Sequence, residues 1–112
     1  MTSPRGGFFL DKKVKKAKEP GYSVQKEFTI KNRLGLHARA ASLFVGLANK
    51  FDSEIFVEKG GQEVNGKSIM GVLILAAGCG SQVKVRAEGD DADQALSELG
   101  DLIERGFDED EN

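Results

Sequence analysis

Residues 24–31 alternate apolar and polar positions, with Phe28 and Ile30 on one face, and this period of two predicts a strand. Residues 38–50 carry Ala41, Phe44, Val45 and Ala48 at helical spacing. A second strand is predicted over 53–59 through Ile55, Phe56 and Val57. Gly60-Gly61 then reads as a two-residue hairpin turn, because both central positions of the favoured turn need positive φ. Residues 62–65 form the returning strand. Residues 68–75 suit a short apolar helix better than a strand, and 78–81 read as a turn. Residues 82–88 alternate again through Val83, Val85 and Ala87. Asp90 or Asp91 caps a last amphipathic helix with Ala92, Ala95, Leu96, Leu99 and Ile103 as its buried stripe, and Gly106 ends it. The order βαββαβα predicts an α+β fold, an open-faced sandwich in which three helices cover one face of a four-stranded, largely antiparallel sheet.

The 112 residues suffice for one domain with a single small core, expected over 23–107. Residues 1–22 read as a basic N-terminal extension, with Lys12, Lys13, Lys15, Lys16 and Lys18 closed off by Pro20-Gly21. Its plain reading is a solvated appendage, and its sharper one an arm for an acidic partner, membrane surface or RNA. Residues 108–112 form an acidic tail, expected to solvate the chain end, with a weak attraction to the basic extension as the alternative. A net charge of -2 gives no overall basic character for binding nucleic acid. No apolar run is long enough to insert in a membrane, and Phe8-Phe9-Leu10 is too short for a signal-peptide core. The single cysteine, Cys79, cannot form an internal disulfide and fits a cytoplasmic location.

The candidate chemistry begins at His37, the only histidine, placed where strand pattern gives way to helix pattern. Amides at a helix N-terminus attract anions and disfavour a protonated ring beside them. The expectation is a neutral, nucleophilic imidazole whose phosphoryl cargo is cradled by the backbone N–H groups of Ala38, Arg39 and Ala40. Arg39 adds a planar fork of donors for phosphate oxygens. No carboxylate lies close in sequence to serve as a base, and direct attack by a ring nitrogen needs none. Residues 61–68 match G-x-x-x-x-G-K-[ST], yet the first glycine belongs to a hairpin and the next residues to a strand, so a nucleotide loop is not expected. Ser68 reads as a helix cap and as a site where a phosphate would be tolerated. Leu43, Leu47, Ile69, Met70 and Leu73 are the candidate apolar docking residues. Cys79 has no second ligand nearby, and no metal site is expected.

Two motifs, Gly35-Leu36-His37-Ala38-Arg39 with Ala40-Ala41, and Gly66-Lys67-Ser68-Ile69-Met70-Gly71-Val72, resemble those of the HPr family, the histidine phosphocarriers of the bacterial phosphoenolpyruvate-dependent sugar phosphotransferase system. The resemblance spans about 24–106 and implies the same open-faced fold. It implies that His37 takes a phosphoryl group from enzyme I on the ring nitrogen nearer the backbone and passes it to an enzyme IIA domain or a regulator. Arg39 would stabilise that group, and no cofactor or metal would be needed. Ser68 matches the serine modified by HPr kinase/phosphorylase, and Ile69 and Met70 match the docking patch. An alternative within the family is a regulatory binding protein controlled at Ser68, with little or no part in sugar transport. The chain departs from the pattern at Ala40, where proline is usual, and in its extra N-terminal extension. A monomer is the expected state.

Overall fold

The structure, a computed structural model, describes residues 21–109. Residues 1–20 of the basic extension and 110–112 of the acidic tail lie outside the described residues. The elements are β1 (Ser23–Thr29), α1 (Ala38–Ala48), β2 (Glu54–Lys59), β3 (Gln62–Asn65), α2 (Ile69–Ile74), β4 (Gln82–Glu88) and α3 (Ala92–Glu104). A 3-10 turn, Gly106–Asp108, follows. The strands form one sheet in the order β1-β4-β2-β3, every pair antiparallel. Register pairs Phe28 with Val83 and Val57 with Val85, so the apolar positions of adjacent strands fall opposite one another. Their burial alternates with the pleat, and Ile55, Val57, Val83, Val85 and Ala87 are all buried. Phe44, Val72, Leu99 and Ile103 from the three helices close the same core.

The hairpin is as the sequence predicts. Gly60 and Gly61 have φ of 58° and 87°, and β3 pairs back on β2 through Val57 and Val64. That pairing rules out a nucleotide loop over 61–68, because residues 62–65 spend their backbone on a sheet ladder.

Two expectations for α3 need correction. Leu96 is only half-buried, while Gly100 and Leu102 belong to the buried face. A Cβ on Gly100 would stand 2.7 Å from the Phe28 ring, so the helix lies closest to β1 where it has no side chain. Asp91 stands at the start of α3 but makes no side-chain cap on it. Its carboxylate instead accepts from the amides of Asp52 and Ser53, both at 2.9 Å, and from Ser53 Oγ at 2.5 Å. Burial pushes this carboxyl up, but the bonds from Ser53 and Asp52 together hold it below the usual carboxylate range. Asp91 thereby ties the start of α3 to the loop between α1 and β2.

The chain does not leave the domain after α3. Gly106 turns it with φ of 68°, and Phe107 follows at φ 58° with its ring buried. A left-handed conformation costs a non-glycine residue about 1–2 kcal/mol. Asp108 takes the same conformation at φ 58°, so the two costs together are of the same order as the roughly 1.5–3 kcal/mol that burying a phenylalanine contributes. Phe107 thus brings Asp108 and Glu109 back against the fold.

Candidate functional site

The chain enters α1 through a tight bend. Gly35 has φ of 67°, and a Cβ there would meet Ala77 O at 2.5 Å and Gly78 Cα at 2.7 Å. Leu36 N donates to Ala77 O at 2.8 Å and His37 N to Gly35 O at 2.9 Å, which fixes the approach. His37 is the N-cap itself, in extended conformation, and its carbonyl accepts the first helical bond from Ala41 N at 2.8 Å. The ring folds over the helix start, where Nδ1 accepts from Arg39 N at 3.3 Å. Its side chain is 29% exposed, so an approaching partner can reach it.

The other ring nitrogen, Nε2, contacts the carboxylate of Glu109. This pairing is absent from the sequence reading, which found no carboxylate near His37 along the chain. The two residues are 72 positions apart and meet only because Phe107 anchors the end. Asn32 holds the carboxylate in place, its amide nitrogen donating to Glu109 Oε1 at 2.9 Å and to Gly35 O at 2.7 Å. The Asn32 bond keeps the Glu109 carboxyl below its ordinary range, against the opposing push of burial, and contact with His37 and the Arg39 charge act in the same direction. Glu109 is therefore an acceptor. An amide N–H can only donate, so Nδ1 must offer its lone pair to Arg39, and the ring proton sits on Nε2 facing the carboxylate.

The predicted cradle residues are not presented alike. Ala38 and Arg39 are exposed, but Ala40 is fully buried, so the face open to an anion is formed by Ala38 and Arg39. Arg39 is exposed, and its charge is felt by the Glu109 carboxyl.

Ser68 is the N-cap of α2, and its Oγ accepts from Gly71 N at 3.1 Å. The turn before it is tied by Lys67 N to Asn65 Oδ1 at 2.8 Å and by Lys67 Nζ to Phe51 O at 2.7 Å. Helices α1 and α2 pack on each other. Of the expected docking residues, Leu43, Ile69 and Met70 are exposed, Met70 at 72%. Leu47 and Leu73 are half-buried against the core, a correction that follows from this packing. The exposed apolar set includes two residues the pattern did not single out, Leu34 at 72% and Ile74 at 60%. Cys79 is exposed, and no cluster of metal ligands occurs among the described residues. No described helix is long and apolar enough to cross a membrane.

Comparison with known proteins gives a consistent result. The profile of the family described as "PTS HPr component phosphorylation site" matches residues 24–105. The chain is 49% identical over 82 residues to the HPr-like protein Crh of Halalkalibacterium halodurans, covering 73% of this chain and 98% of that protein. It is 45% identical over 87 residues to the phosphocarrier protein HPr of Xylella fastidiosa, covering 78% of this chain and 98% of that one. A crystal structure of HPr-C-His from Thermoanaerobacter tengcongensis superposes with a TM-score of 0.75 at 50% identity, over 78% of this chain and 98% of that one.

Proposed function

The chain belongs to the HPr family of phosphocarrier proteins, and from that premise we propose that His37 is its phosphoryl acceptor and donor. The observation that supports this most is the division of labour on the ring. Nδ1 carries an unprotonated lone pair at a helix start, held only by a long 3.3 Å bond from Arg39 N that must give way as phosphorus approaches, while Nε2 is occupied by Glu109. Nδ1 attacks the phosphorus of phosphorylated enzyme I. The N–P bond to His37 forms as the donor's bond to phosphorus breaks, the donor keeping the electron pair. The new group lies beside the Ala38 and Arg39 amides and within reach of the Arg39 guanidinium, donors placed before the charge arrives. An enzyme IIA domain or a regulator then takes the group by the reverse step. The half-exposed ring suits a carrier, which must give its cargo up again. The working unit is the 23–107 domain together with Glu109, which returns to His37, acting as a cytoplasmic monomer without metal or cofactor, with Leu43, Ile69 and Met70 on its docking side.

Incubation with enzyme I and phosphoenolpyruvate should load one acid-labile phosphate per chain. His37→Ala should remove it, a loss of at least about a thousandfold. Labelling that survives His37→Ala would refute the assignment.

A second reading is favoured by the likeness to the HPr-like protein Crh and by Ser68 capping α2. In it, HPr kinase/phosphorylase modifies Ser68 and the added charge switches partner binding. Regulation would then survive His37→Ala and fail in Ser68→Ala.

A further inference from the structure

We propose that Asn32 and Glu109 are a positioning pair for His37, holding its ring as the Nε2–H tautomer so that Nδ1 always presents its lone pair to the incoming phosphorus. The proposal rests on the reading of His37 as phosphoryl acceptor. Asn32 lies inside the 24–105 match to the family, and Glu109 lies beyond it.

Asn32 is fully buried, and its amide group is spent on two acceptors, Gly35 O and Glu109 Oε1. Its Oδ1 is buried with no hydrogen-bond partner among the described residues. Leaving such an oxygen unpaired costs about 1–3 kcal/mol. Flipping the amide would not relieve this, since it would turn the oxygen toward a carbonyl and a carboxylate. The fold therefore bears an orphan acceptor in order to aim two donors. One fixes the carbonyl of Gly35, at the bend into α1. The other fixes Glu109, whose second oxygen meets His37 Nε2. Bend and tail are thus joined through one buried side chain, and the ring is held from both nitrogens.

The chemical consequence follows from the ring alone. A free imidazole divides its proton between two nitrogens, and only the form with Nδ1 unprotonated can attack through Nδ1. A carboxylate on Nε2 selects that form and orients the ring, as an acidic partner does for other histidines that act through the opposite nitrogen. When Nδ1 bonds to phosphorus, the Nε2 proton stays and the ring becomes cationic opposite Glu109. Glu109 does not touch the reacting atoms, so it is a positioning residue.

The test combines ring tautomer with loading rate. Long-range proton–nitrogen spectra of 15N-labelled protein at neutral pH should show His37 as a single Nε2–H tautomer. Glu109→Ala and Asn32→Ala should each give a mixture, with loading by enzyme I and phosphoenolpyruvate about tenfold slower. Glu109→Gln offers one acceptor oxygen to two donors, Asn32 Nδ2 and His37 Nε2, so it should give a mixture as well. An unchanged tautomer in Glu109→Ala, or a mixture in the wild type, overturns the proposal. If Asn32→Ala fails to fold, Glu109→Ala decides alone, since residue 109 follows the last helix. The tautomer measurement uses no enzyme I, so failure of wild-type loading would refute the carrier role separately.

Discussion

The starts of α1 and α2 are built on the same local plan and differ in what lies behind them. Each opens on an extended N-cap whose side chain accepts an amide from the first turn: His37 from Arg39, Ser68 from Gly71. Each follows a glycine pressed against neighbouring structure, Gly35 on Ala77 and Gly78, Gly66 on Ile55. Ser68 is satisfied by residues within three positions of it. His37 also needs Glu109, 72 residues away, and through it Asn32 and Phe107. A cap is thus a local structure, whereas a reactive ring with a chosen tautomer draws on the whole fold.

The comparison breaks hardest at the glycines. Gly35→Ala adds a side chain at positive φ that collides with backbone atoms, which cannot yield cheaply, and should lower stability by about 3 kcal/mol. Gly66→Ala meets chiefly the Ile55 side chain, with Cγ2 at 2.6 Å, and should cost about 1–2 kcal/mol. Urea midpoints of the two variants read the difference, and equal losses would count against it. Ser68→Ala comes next. It should cost about 1 kcal/mol, the usual worth of a cap, and leave loading at His37 unchanged. Slower loading would mean that the two helix starts are coupled more closely than their bonds suggest.

The smallest effect is acid sensitivity. Glu109 is held below its ordinary 4.5 in the folded chain, so its contribution is complete above that value and is lost as pH falls through the lowered folded one. Amide resonances of Asn32 should shift in that acid window, while that of Gly71, bonded to a hydroxyl, should not. A shift at Gly71 matching that at Asn32 would show a global change instead.

Most of the fold was legible because its strands and helices bury one face each, and periods of two and 3.6 record that burial. The hairpin was legible because two adjacent glycines solve one backbone problem. His37, Arg39 and Ser68 were legible because caps and turns are short-range. The misreadings share a cause in tertiary packing. Leu47 and Leu73 lose exposure where α1 meets α2 and the core, and α3 turns Gly100 toward Phe28. Glu109 was hidden because residues 108–112 read as plain acidic tail. The available signal was Phe107, an aromatic directly after the helix-ending Gly106, which marks a chain folding back and not departing.

Phosphorus NMR of 15N-labelled protein, loaded from phosphoenolpyruvate through enzyme I, reads the atom that carries the phosphoryl group. One phosphoramidate signal, coupled to Nδ1 of His37, is expected. Coupling to Nε2, or phosphate on any other residue, would contradict that assignment.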